Sequence, residues 1–122
     1  MASPQLERGF TMISNELLEA IYGNLVNGEW LKIVLYIIRI TYGYKRKTAK
    51  TSFKSVATGT RIVVDRVVFL LSELRIRRIL TVDQTSKGCA TIGINKNYEE
   101  WVLGELASYR EELDRIKTHL FK

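Results

Sequence analysis

Apolar residues in this chain follow two different periods, and the switch between them divides it into helical and extended parts. In "SNELLEAIYG", Leu17, Leu18 and Ile21 form one helical stripe. Ser14 or Asn15 can cap that helix and Gly23 can stop it. "NGEWLKIVLYIIRITYG" is apolar nearly all round, through Trp30, Leu31, Ile33, Val34, Leu35, Ile37, Ile38 and Ile40. A helix apolar on every side belongs at the centre of a fold. Its β-branched content leans toward strand, but its length and the flanking Asn27 and Gly43, read as caps, decide for helix. In "SFKSVATGT", Ser52 caps a short helix, Phe53, Val56 and Ala57 face inward, and Gly59 and Thr60 make a turn. "VVDRVVFLLSELRIRR" is a second helix with Val67, Leu70, Leu71 and Leu74 on its core side. Two short helices joined by a tight turn make a helix-turn-helix pattern.

Beyond them the period shortens to two. "RILTVDQ" and "CATIGIN" alternate as strands do, and "TSKG" (Thr85 to Gly88) between them is turn chemistry, so this is a hairpin with Lys87 at its tip. Helix, turn, helix and basic-tipped hairpin is the layout of a winged helix. The closing segment reads as an amphipathic helix, with Val102, Leu106, Tyr109, Leu113, Ile116 and Leu120 at heptad spacing. That seam fits either a homodimer contact or a helix packed on its own domain. The expected fold class is therefore mainly α with a small β-hairpin. A winged helix-turn-helix domain is expected over residues 1–96, and a dimerisation or linker helix over 97–122.

Charge sharpens this picture. Residues 1–44 are net −1, residues 45–88 carry eleven cations against three acids, and residues 89–122 are net −1, so the whole +6 excess lies in the middle third. A basic block fits a polyanion, nucleic acid before an anionic membrane, or else a merely solvated face. "IVLYII" is the longest apolar run and cannot span a bilayer. "MASPQLERGF" lacks the apolar centre of a secretory signal, and the single Cys89 fits a reducing cytoplasm. One cysteine and one histidine, His119, cannot build the usual zinc site. No phosphate-cradling glycine loop occurs, and the adjacent acids Glu99–Glu100 and Glu111–Glu112 do not face each other on a helix. No cofactor, metal or catalytic role is expected.

"LERGFTMISNELLEAI" and "IRITYGYKRK" resemble the N-terminal domain of the phage replication protein O family, the origin-binding initiators of lambdoid phages. The matching marks are Gly9–Phe10, Asn15 to Ala20 and Arg39 to Tyr44, and "INKNYEEW" is similar to the stretch after the wing. The resemblance covers about residues 6–101. It implies a winged-helix domain that binds repeated origin sites, and a further C-terminal region that recruits the host helicase loader. No stretch read in this sequence corresponds to that region, so a truncated or shortened relative is expected. It also departs from related helix-turn-helix segments, which often read Thr-Gly-Leu-Ser where this chain has Thr60-Arg61-Ile62-Val63. The usual glycine is Arg61 and the usual capping serine is Val63. Either Thr60 caps in a shifted register, or the second helix starts without a cap.

The second helix of such a motif enters the major groove with its N-terminal residues. Arg61, Val64, Asp65, Arg66, Val68 and Phe69 are therefore the expected base readers: arginine for guanine, Asp65 for cytosine N4, Val or Phe for a thymine methyl. Val64, Val68 and Phe69 equally suit a protein interface. Lys45, Arg46, Lys47, Lys50, Lys54, Ser55 and the hairpin-tip Lys87 are expected on phosphates, which hold register without reading sequence. Arg75, Arg77 and Arg78 suit either a helix dipole or DNA. The expected partners are double-stranded DNA, a second copy of the chain, and a helicase or its loader where a C-terminal region exists. A transcriptional regulator of the same fold remains the alternative.

Overall fold

Asn27 caps a helix as the sequence expects, and of the two candidates Ser14 and Asn15 it is Ser14 that caps, in the computed structural model, which describes residues 2–104. The Ser14 hydroxyl accepts from the Leu17 N–H, and the Asn27 side chain accepts from Glu29 and Trp30. They open α1 (Asn15–Asn24) and α2 (Gly28–Thr41). Ile33, Val34 and Ile37 of α2 are fully buried, and Leu35 alone of its large aliphatics stays exposed. Full burial of each such side chain stabilises by about 1.5–3 kcal/mol, so α2 forms the centre around which the rest packs.

α2 ends at Thr41, whose hydroxyl donates back to the Ile37 carbonyl, and a 3-10 turn follows over Tyr42–Tyr44. The left-handed residue there is Lys45 (φ 57°), not Gly43, which corrects the reading of Gly43 as the cap. Gly43 instead gives room: a Cβ there would stand 2.7 Å from Arg39 Nη1.

The basic connector contains a strand that the sequence reading missed. β1 (Thr48–Ser52) runs antiparallel to β3 (Cys89–Ile94), which also pairs with β2 (Leu80–Ser86), giving a three-stranded sheet in the order β1-β3-β2. The expected hairpin is present as β2–β3, closed at Lys87–Gly88, and β1 widens it. Ala49 turns into the core while Lys50 stays out, an alternation hidden by the surrounding charge.

Between β1 and β2 lie α3 (Phe53–Thr60) and α4 (Val64–Ile76). Ser52 caps α3 by accepting from the Ser55 N–H. Gly59 and Thr60 do not form the turn; they complete α3, and the ring of Tyr36 lies where a Gly59 Cβ would be. The turn is Arg61–Val63. Thr60 bonds the Val56 carbonyl rather than capping, and Val63 offers no side-chain cap, so α4 starts uncapped.

The expected C-terminal helix does not begin at Asn97. Tyr98–Glu100 is one 3-10 turn, and Trp101 follows in extended conformation, buried in the core, its indole N–H donating to the Asn95 carbonyl. Val102 is therefore not on a helical seam, because its N–H is taken by the Arg77 carbonyl. Leu106, Tyr109, Leu113, Ile116 and Leu120 lie outside the described residues. No helix among the described residues is long and apolar enough to cross a membrane.

Candidate nucleic-acid interface

The turn between α3 and α4 is built on Arg61, the C-cap of α3, at φ 60° and ψ 37°. This is the position at which the sequence reading expects the glycine of a helix-turn-helix turn, and a left-handed backbone favours glycine. Arg61 projects into solvent, as do Val63 (75% exposed) and Asp65, and Val64 lies at the margin (37% exposed).

α4 presents a different face from the expected one. Val68 is 2% exposed and Ser72 is fully buried, so neither reaches a base, and Val68 is withdrawn as a base reader. The cause is packing on more than one side: α4 rests on α2, α3 and β2 together, which buries a wider arc than a single core stripe. The outer face instead carries Asp65, Arg66 and the half-buried Phe69 and Glu73. Arg66 is held by Glu29 of α2 through Nη2 at 2.8 Å and Nε at 3.2 Å, and its guanidinium lies 5.2 Å from the Phe69 ring centre. The Arg66 hydrogen bond, with its charge, holds the Glu29 carboxyl below the usual range and raises Arg66 in turn.

The expected phosphate contacts separate into groups along the sheet. At the hairpin end, the Gly88 carbonyl accepts from the Phe53 N–H at 2.9 Å, and Ser52 pairs with Cys89. This ties the hairpin turn to the start of α3 and gathers exposed Lys54, Ser55 and Lys87 into one cluster. Lys50 stands mid-strand, opposite Thr91. Lys45, Arg46 and Lys47 lie at the other end of β1, where Arg46 Nε donates to the Ile40 carbonyl at 3.1 Å. They edge a groove of about 420 Å³ floored by Met12, Ile13, Leu17 and Tyr42. Burial there raises the Tyr42 phenol, whose hydroxyl finds no protein partner.

The three arginines closing α4 split by role. Arg77 is buried: it lies 4.5 Å from the Trp30 ring centre, 3.6 Å from Glu73, and donates to the Val102 and Gly104 carbonyls. Arg75 and Arg78 are exposed and line a second cleft of about 420 Å³ with Thr48, Thr81, Thr91 and Asn95. Sequence reasoning left that cleft out, since only the register of β1 brings Thr48 beside β3. Among the described residues, Arg66 and Arg77 each form an ion pair with a carboxylate within 4 Å, and Lys32 also bears electrostatically on Glu29.

The fold and surface thus define a small domain of helices on a three-stranded antiparallel sheet, with exposed cations that mostly lack a carboxylate partner among the described residues. The chain belongs to the bacteriophage replication protein O family, which it matches over residues 3–101. It is 31% identical over 97 residues to the DNA replication protein gp18 of Salmonella phage P22, covering 80% of this chain and 34% of that protein. It is 29% identical over 98 residues to replication protein O of Escherichia phage lambda, covering 80% of this chain and 28% of that protein. The chain spans about a third of the length of these relatives. No solved structure matches it.

Proposed function

We propose that residues 1–96 form a winged helix-turn-helix domain that binds double-stranded DNA sequence-specifically at a phage or prophage replication origin. The observation that carries this reading is the set of exposed cations around the α3–turn–α4 pair and its hairpin, most of them without a carboxylate partner among the described residues. Family membership and the relatives' names point to replication. The strand order β1-β3-β2 with α3 and α4 inserted between β1 and β2 supports the winged form. In this reading the start of α4 enters the major groove, with Arg61, Val64 and Asp65 toward the bases and Phe69 at the edge. Lys54, Ser55 and Lys87 hold one stretch of backbone, and Lys50 with Lys45, Arg46 and Lys47 extends the grip. The domain acts by binding, without catalysis, in the cytoplasm of the infected cell. Of the stretch 97–122, expected as a dimerisation or linker helix, Trp101 packs into the core, and the residues after the domain serve as the link or the contact with a second copy.

Fluorescence anisotropy on labelled duplexes tiled across the chain's own gene, at two salt concentrations, tests this. Tight, salt-sensitive binding to one or a few tiles is expected. Equal weak binding to every tile and to shuffled DNA would remove the sequence-specific part. A second reading, a protein-interaction surface, is favoured by the exposed Val63 beside Val64. Such an apolar contact would be nearly indifferent to salt, whereas phosphate binding falls steeply.

A further inference from the structure

The connector end of the sheet has a chemistry that duplex phosphates do not use. Tyr44 is 61% exposed, with the guanidinium carbons of Arg39 and Arg46 at 5.1 and 5.2 Å from its ring centre. Arg46 is fixed in place by its bond to the Ile40 carbonyl, and neither arginine meets a carboxylate among the described residues. Beside them, Gly9, Phe10, Thr11, Arg39 and Gly43 line a slot of about 180 Å³, and Phe10 is 63% exposed. Phe10 and Arg39 thus line a slot large enough to hold more than a few waters, each of which takes about 30 Å³, and Arg39 also lies over the Tyr44 ring, as Arg46 does.

Flat rings and flat cations are matched by flat, electron-rich ligands that carry negative charge. A paired base offers no open face, because its neighbours in the stack cover it. An unpaired base offers both faces, and single-strand binding elsewhere combines aromatic platforms with cations that track the backbone. We propose that Tyr44 and Phe10, with Arg39 and Arg46, form a second site that stacks unpaired nucleobases of single-stranded DNA. The site lies at the end of β1 away from the hairpin turn, with Lys45 and Lys47 beside it for the flanking phosphates. It goes beyond the duplex reading and does not depend on it.

The test is anisotropy of the full chain on labelled oligothymidylate about 15 nucleotides long, within the usual span of such sites, beside the duplex titration. Tyr44→Ala and Phe10→Ala are each expected to weaken oligothymidylate binding about ten-fold, as loss of one stacked base does. Tyr44→Phe keeps the ring and is expected to stay within about two-fold. Duplex affinity should hold for all three. Equal loss on both DNAs would make this surface part of the duplex grip and overturn the proposal. Unchanged oligothymidylate binding in Tyr44→Ala, or none by the unaltered chain at low salt, would also overturn it. Polyglutamate binding that is equally weakened by Tyr44→Ala would assign the site to acidic peptides instead. Photocrosslinking of the unaltered chain to a 5-iodouracil oligonucleotide avoids any folding defect: adducts on Tyr44 or Phe10 support the site, and adducts confined to other residues overturn it. Loss of duplex binding with single-strand binding retained would defeat the proposed function and leave this site standing.

Discussion

Arg61 is held in a backbone region that costs a residue with a Cβ roughly 1 kcal/mol. Arg61→Gly is expected to raise stability by about that amount, read as a shift in urea midpoint, while weakening duplex binding if its cation touches DNA. Val63→Ser should add about 1 kcal/mol by capping α4. Both weak points were legible by comparing Thr60 to Val63 with the usual turn sequence. Gly59 was not: its neighbour Tyr36 lies on another helix, and no local pattern announces that contact. Gly59→Ala should therefore destabilise by about 1 kcal/mol on denaturation, because the clash outweighs a helix-propensity gain of similar size. Glu29 has a pH signature. Its carboxyl titrates below the ordinary value of 4.5 in the fold, so its contribution is full above that value and fades as pH falls through the lowered one. Between about pH 5 and pH 3, Glu29→Gln should lose less stability than the unaltered chain; identical pH profiles would show that the Arg66 pair contributes nothing.

Helices were easier to read than strands. α1 to α4 each announce themselves by a cap or an apolar stripe, and Ser14, Asn27 and Ser52 cap as expected. β1 was missed because three of its five residues are threonine or serine and Lys50 sits among connector cations, leaving Ala49 as the lone apolar signal. The face of α4 was misplaced for a related reason: sequence shows one stripe, whereas the fold buries Val68 and Ser72 as well. The end of α4 offers a clear contrast. Arg77 joins Trp30, Glu73 and the chain around Val102 to Gly104. Arg77→Ala should cost about 3 kcal/mol, since it leaves two carbonyls unpaired and the half-buried Glu73 carboxylate with only the Trp30 indole N–H. Arg75→Ala, on an exposed residue, should cost less than about 0.5 kcal/mol. Equal denaturation midpoints for the two variants would contradict this division.

At the scale of the molecule, the sequence located the positive charge in residues 45–88 but could not say how folding distributes it. Lys54 and Lys87 are far apart in the chain and are brought to one end of the sheet by the Phe53–Gly88 bond, while Lys45 to Lys47 go to the other. Replacing both Lys54 and Lys87 by alanine should weaken every duplex alike and lower the slope of log affinity against log salt by about 2. An unchanged slope would take this cluster off the DNA. The order β1-β3-β2 also bears on how the chain is made. The central strand, β3, is the last of the three to be synthesised, after α3, α4 and β2 have all emerged. Until then β1 and β2 have no middle strand to join them. A ribosome stalled before Cys89 should therefore display helices but a protease-sensitive connector, and protection should appear abruptly once Ile94 clears the exit tunnel.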